Sequence, residues 1–242
     1  MHTHHRTVVA AARVAAACLV VTALSACTPA QMRVPDGFSQ SSTVYPVDGL
    51  SPRRVDTPIT FGPYAARSVR EGGTLTWAVP QGSLDLSREG QRLAFSLELE
   101  GEEVVNVACK RRVWTLGQRS DEPLEVDLTG LSGPWMECDL NDGEGGGTLA
   151  LSRRGHKVDG TLRRAGGATL AIAGQNALEG SPLPLDHPAG FIVRGEGSAP
   201  LAAVDGLNRG SVYLGNGLSE RDRNLLAAAS VALLMATQTA GD

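Results

Sequence analysis

Few residues in this chain combine type and spacing in a way that supports chemistry. Asp186-His187 is the first candidate, because an Asp–His couple can serve a Ser or Cys nucleophile. Neighbours in sequence seldom point at each other, however, and Pro184 and Pro188 suggest a rigid loop around the pair. His156, in Arg153-Arg154-Gly155-His156-Lys157, fits a solvated turn between strands. Lys110-Arg111-Arg112 has the charge to hold a phosphate but reads more simply as a solvated strand end. The stretch Asp139 to Gly147 alternates carboxylates and Asn as a calcium loop would. Yet Gly143 stands where a hand-type loop needs an oxygen donor, and Glu144 where it needs Gly, so a flexible hairpin loop is the simpler account. The zinc-protease pair H-E-x-x-H, the phosphate-loop triplet Gly-Lys-Ser/Thr and the elbow G-x-S-x-G do not occur. Trp77, Trp114 and Trp135 read as core or rim packing. On this reading the chain has no catalytic, cofactor-binding or metal-ligating residues, and it is expected to work without enzyme chemistry.

The reactive position with the clearest context is Cys27. Ahead of it lie a basic start (Arg6, Arg13) and an uncharged apolar run, Val14 to Leu24. Those eleven residues suit the hydrophobic region of a signal peptide and are too few to span a bilayer. The run ends in Leu24-Ser25-Ala26-Cys27: an aliphatic residue, two small ones and a cysteine. Small residues let a peptidase close on the backbone, and a thiolate is the best side-chain nucleophile for taking a diacylglyceryl group. The four residues resemble the lipobox of bacterial lipoproteins. That resemblance implies a signal peptide over 1–26 and a mature chain whose first residue, Cys27, carries acyl chains of the palmitate kind. Buried chains contribute about 0.8 kcal/mol per CH₂ and would hold the protein on a membrane with no spanning helix. Thr28, rather than Asp, follows the cysteine; by similarity to lipoprotein sorting in Gram-negative cells, this implies the outer membrane of the cell envelope. The alternative is an ordinary secretory leader cut near Ala23 to Ser25, with Cys27 incidental.

Cys18 leaves with such a leader and Cys27 is taken by lipid, so Cys109 and Cys138 remain in a compartment that oxidises thiols. One disulfide is the economical reading, closing a loop of about 30 residues with a stabilisation of roughly 3–4 kcal/mol. Two separate buried thiols are the alternative. A metal site is disfavoured because neither Cys belongs to a C-x-x-C pair and neither His lies at ligand spacing. Two of the 22 basic residues and none of the 26 acids fall within 1–26, leaving residues 27–242 at a formal charge of −6. Mild acidity disfavours a nucleic-acid partner and a polybasic membrane patch.

The elements that must position these residues read as follows. Residues 27–66 are rich in Pro, Ser, Thr and Gln and suggest a flexible tether, holding a domain several nanometres from the bilayer. From 67 onward the period becomes two. Leu75, Trp77 and Val79 share a face, as do Leu93, Phe95, Leu97 and Leu99. Gly101-Glu102 turns the second of these into a strand over Glu103 to Cys109. Further strands, Arg112 to Leu116 among them, bring the count to about a dozen at hairpin spacing, so the sheet is expected to be antiparallel. Near the C-terminus, Ser219 to Asp222 has the form of a capping box and opens a helix over 219–238. Its stretch Leu225 to Ala236 carries no charge and has no polar face. A helix apolar all round belongs inside something, here the strands themselves; a membrane-embedded or partner-bound tail is the alternative.

The expected fold is therefore mainly β. It is an antiparallel barrel or barrel-like sandwich of about twelve strands over 67–242, enclosing one C-terminal hydrophobic helix. A β-sandwich with a packed helix is the alternative. The order of strand, Gly turn, last strand and entering helix from Ala202-Ala203-Val204-Asp205 through Arg209-Gly210-Ser211-Val212-Tyr213-Leu214 to Ser219 resembles the tubby-like fold of tubby proteins and phospholipid scramblases. The resemblance implies architecture only. No phosphoinositide-type cluster, calcium motif or cysteine-rich segment accompanies it, and fold does not carry function. The function expected from these readings is a non-enzymatic envelope lipoprotein, joined to the membrane through Cys27, that binds a protein, polymer or lipid. A hydrolase with an unrecognised site and a structural or assembly role are the alternatives.

Overall fold

A computed structural model of the chain describes residues 29–50, 57–72, 75–81, 84–118, 124–128 and 133–239. The leader, Cys27 and the start of the expected tether lie outside them. Among the described residues, fourteen strands precede one α-helix. They are β1 (Ser42–Asp48), β2 (Ile59–Phe61), β3 (Tyr64–Glu71), β4 (Leu75–Gln81), β5 (Leu84–Leu99), β6 (Glu102–Gln118), β7 (Leu124–Asp127), β8 (Met136–Asn141), β9 (Gly147–Arg154), β10 (Lys157–Arg164), β11 (Thr169–Gln175), β12 (Gly190–Arg194), β13 (Pro200–Asp205) and β14 (Ser211–Gly215), followed by α1 (Glu220–Thr239).

Twelve of the strands form a closed antiparallel ring. Its order is β5-β3-β2-β1-β14-β13-β12-β11-β10-β9-β8-β6, and β6 returns to β5. The two ends of the barrel domain meet where β1 pairs with β14, from Ser42↔Gly215 to Pro46↔Ser211. A ring of twelve strands is wider than side chains alone can fill. An α-helix with its side chains is about 10–12 Å across and suits the space. Every residue of α1 from Leu225 to Leu234 is buried, and the strands against it (β3, β6, β8, β12, β13 and β14) come from opposite arcs of the ring. The helix thus fills the barrel. Leu97, Leu149, Leu151, Leu162, Ile172, Phe191 and Leu214 of the strands belong to the same buried cluster as the helix.

Polar groups on this helix are satisfied locally. The Ser230 hydroxyl donates to the Leu226 carbonyl at 2.7 Å. At the helix start the backbone N–H of Asp222 donates to Ser219 Oγ at 3.2 Å, and that hydroxyl donates to the Asp222 carboxylate at 2.9 Å, as the capping pattern leads one to expect. Arg164 on β10 forms an ion pair with Asp222. Tyr64 donates its phenol to Asn224 Oδ1 at 3.0 Å, and burial pushes that phenol up to about 12.

Outward positions are polar: Thr148, Lys157, Asp159, Arg163 and Thr169 are all exposed, alternating with buried leucines and valine. A membrane-spanning barrel has the reverse arrangement. No helix among the described residues is long and apolar enough to cross a membrane.

Three features differ from the sequence reading. The stretch 27–66, expected as a tether, contributes β1, β2 and the start of β3 to the ring. Its pattern was hidden because β1 buries only Ser42 and Val47 and contains Pro46, while β2 has three residues, too few for a period. Met136, Cys138 and Leu140 alternate as buried residues of β8, whose last three residues, Asp139 to Asn141, fall in the stretch expected as a loop. The strands expected over Glu103 to Cys109 and Arg112 to Leu116 are one strand of 17 residues, which runs straight through Lys110-Arg111-Arg112.

Ahead of β1, the chain from Gln31 lies on the outer face of β12 and β13. Met32 and Phe38 pack there with Ala189, Ile192 and Ala203. The N–H of Met32 donates to the Asp205 carboxylate at 3.0 Å, and the N–H of Leu207 donates to it at 2.9 Å. Burial pushes that carboxyl above its usual range, while the two N–H bonds restrain it. Gly190 leaves room for this segment: a Cβ there would lie 2.6 Å from the Met32 sulfur.

Candidate functional site

The hairpin of β5 and β6 is longer than the barrel needs. Residues 93–99 of β5 pair with β3 and residues 106–111 of β6 pair with β8, and these parts belong to the ring. Beyond them the hairpin runs on. Leu84 to Gly90 pair with β4, and Thr115 to Gln118 pair with β7. The result is a four-stranded arm in the order β4-β5-β6-β7, continuous with the barrel wall. The alternation that fills the barrel stops here. Residues 86–90 and 111–116 are all half-buried or exposed on both faces.

At the root of the arm, Cys109 and Cys138 oppose each other on β6 and β8 and form a disulfide. Both are buried. The bridge ties β6 to the barrel two residues before the last pair with β8, Arg111↔Met136. The expected cystine is therefore also the clamp at the point where the arm departs.

Register fixes which charges share a face. On β5 and β6 the odd-numbered residues Leu93, Phe95, Leu97, Val105, Val107 and Cys109 face the core. The even-numbered ones face out, and they bring together Arg92 opposite Lys110, Gly90 opposite Arg112 and Arg88 opposite Trp114. Arg70 on β3 joins them opposite Ala94. Arg70, Arg88, Arg92 and Lys110 are exposed and Arg112 is half-buried. Glu137, opposite Lys110 on β8, lies 3.6 Å from Arg112 and answers part of this charge. The Arg88 guanidinium sits over the Trp114 ring, 5.1 Å from its centroid, a cation–π arrangement that holds the charge in place. Backbone register also sets Trp77 of β4 opposite Arg88.

Beside this face, β3 carries a bulge: two residues, Ser68 and Val69, oppose the single Phe95. Ser68 has φ 53°, a left-handed value that is strained for a residue with a Cβ. The bulge lines an open cleft of 350 Å³ with Thr57, Pro58, Arg67 and Arg70. Arg67 there is paired with Glu98 at 2.7 Å. Cleft and arm root together make a cationic, partly aromatic surface on a chain whose overall balance is acidic. Such a surface attracts and orients anionic groups.

No family model, curated protein or solved structure matches this chain.

The other sequence candidates come apart. Asp186 is exposed and His187 half-buried in the loop before β12, and His156 is exposed at the β9–β10 turn. The acidic stretch Asp139 to Gly147 is built around an arginine. Asp142 accepts N–H bonds from Glu144 and Gly146 at 2.9 and 2.7 Å, and Arg221 of α1 donates to its other oxygen at 2.8 Å. The Arg221 bond is the main reason its carboxyl sits below the usual range. Both carboxylate oxygens are thus engaged. Among the described residues no cluster of three His, Cys, Asp or Glu can hold a metal. Trp135 is core, as expected; Trp114 belongs to the arm. Sequence reading found Lys110-Arg111-Arg112 but not its setting. The signal was Arg88 and Arg92, at even spacing with Ala94 and Ser96 on the outward face of the same strand.

Proposed function

We propose that this chain is a lipid-anchored envelope lipoprotein, joined to the outer membrane through acyl chains on Cys27, and that it acts as a non-enzymatic binding module. The leader and its lipobox support the anchoring. The observation that carries the binding role is the outer face at the root of the arm, where Arg88, Arg92, Lys110 and Arg112 gather as the hairpin leaves the barrel wall. The partner that fits is an acidic protein or polymer of the envelope. The barrel with its central C-terminal helix also supports distant kinship with the tubby-like fold; lipid movement is not part of the proposal.

Two measurements test this. Cys27→Ala blocks metabolic labelling with fatty acid and leaves the protein unprocessed or unanchored; an unchanged membrane fraction refutes the anchor. For binding, the probe is a sulfated-polysaccharide column. The purified domain is retained at low salt despite its acidic balance and released as salt rises. The pair Arg88→Glu and Arg92→Glu flows through with unaltered melting. Equal retention of parent and variant refutes the arm as the site.

A further inference from the structure

We propose that the loop Ser181–Leu185 sits in the interfacial layer of the membrane, with Leu183 inserted among the lipids beside the anchor. The proposal rests on the reading of Cys27 as the anchoring residue. Three observations carry it. First, the chain is fastened close to Cys27. The Glu179 N–H donates to the Gln31 carbonyl at 2.9 Å, and the Arg33 N–H donates to the Ala177 carbonyl at 2.8 Å. Four residue steps separate Cys27 from Gln31, a reach of about 14 Å at full extension. An anchored barrel therefore keeps Gln31, and the 176–185 loop bonded beside it, within that reach of the lipidated residue.

Second, that loop presents an apolar tip. Leu183 is 74% exposed, between Pro182 and Pro184. Third, the loop is wired for a medium without water. Pro182 and Pro184 have no N–H. The N–H of Ser181 donates to the Leu178 carbonyl, that of Leu183 to Ser181 Oγ at 3.2 Å, and that of Leu185 to the Asn176 carbonyl at 2.9 Å. The Arg33 guanidinium donates to the carbonyls of Leu178 and Ser181 at 3.2 and 3.1 Å. Every backbone donor from Ser181 to Leu185 is used inside the protein, so entering the lipid boundary strands none of them. The segment that fastens the N-terminus and the loop that meets the lipid are one unit.

The test is Leu183→Trp in two forms of the protein on phosphatidylcholine vesicles. One is the natively processed lipoprotein. The other is a chain beginning at Cys27 whose thiol is coupled to a maleimide-bearing lipid. The expected result in both is extra emission over the parent chain that is blue-shifted and quenched by bromine-labelled lipid. Extra emission at the wavelength of water-exposed tryptophan, unquenched in the coupled form, overturns the proposal. A blue shift without vesicles that grows with protein concentration also overturns it, in favour of contact between copies. If the native form carries no lipid while the coupled form is quenched, the reading of Cys27 fails and the assignment of the loop stands.

Discussion

The barrel and the arm are built from the same two strands, yet they obey different rules. Within the ring, β5 and β6 bury one side chain in two against α1 and the facing strands. A few residues further along, over 86–90 and 111–116, no side chain of the same hairpin is fully buried. The ring has no free edge, because every strand has two neighbours. The arm ends in β4 and β7, each paired on one side only. The contrast separates what holds the fold from what is available for contact. Stability sits where a closed sheet surrounds a helix. Over 86–90 and 111–116 the arm has no fully buried residue, and the proposed binding face lies there.

The comparison breaks most sharply by removing each part in turn. Truncation before Ser219 leaves the ring hollow and abolishes cooperative folding, read as loss of a melting transition. Excising the arm leaves ends that already touch, since the N–H of Gly72 bonds the Arg92 carbonyl at 2.7 Å and that of Arg112 bonds the Trp135 carbonyl at 2.9 Å. Short turns at those two points give a barrel that melts cooperatively and, having lost Arg88 and Trp114 while keeping Arg92, Lys110 and Arg112, releases polyanions at lower salt than the parent. A folded truncated barrel, or an unfolded armless one, reverses the assignment. Replacing Cys109 and Cys138 by Ser comes next. Denaturant midpoints fall by the equivalent of about 3–4 kcal/mol. Hydrogen exchange in the arm rises first, because the clamp at its root is gone.

The smallest expected effect concerns Asp142, which secures the β8–β9 loop to the start of α1. Asp142→Asn costs about 0.5–1 kcal/mol at neutral pH, because its Arg221 partner is half exposed and the pair is screened by water. The folded carboxyl titrates below its ordinary value near 3.8, so its contribution is full above that value and disappears as pH falls through the lower one. The gap between parent and variant melting curves therefore closes only below pH 3.8. Asp205 has the opposite sign. Its raised folded value favours the protonated form, a contribution present in acid and lost as pH rises through that value.

The barrel was legible wherever one face of a strand was buried. Leu93, Phe95, Leu97 and Leu99 announced β5, and the charge-free stretch from Leu225 announced a helix sheltered by strands. β1 was not legible, because Pro46 and a run of Ser and Thr look like a linker until β14 supplies the partner that makes them a strand. The arm was hidden for a different reason. With neither face fully buried, Ser87-Arg88-Glu89-Gly90 has no apolar period to detect, and Lys110-Arg111-Arg112 looked like an ending when it is the middle of a strand. The cationic face exists only in the register of β5 on β6, which pairs Arg92 with Lys110 and Arg88 with Trp114. Register across a hairpin of this length depends on where the turn falls.

The meeting of β1 with β14 has a consequence for biosynthesis. A ribosome delivers Ser42 long before Gly215, its partner across the seam, and the helix that fills the cavity follows every strand of the ring. Until then the growing polypeptide is a string of hairpins with an oily interior and nothing to put in it. The closed barrel therefore cannot be completed until the helix has been made, and a premature stop codon upstream of the helix is expected to yield material for degradation rather than a smaller working domain.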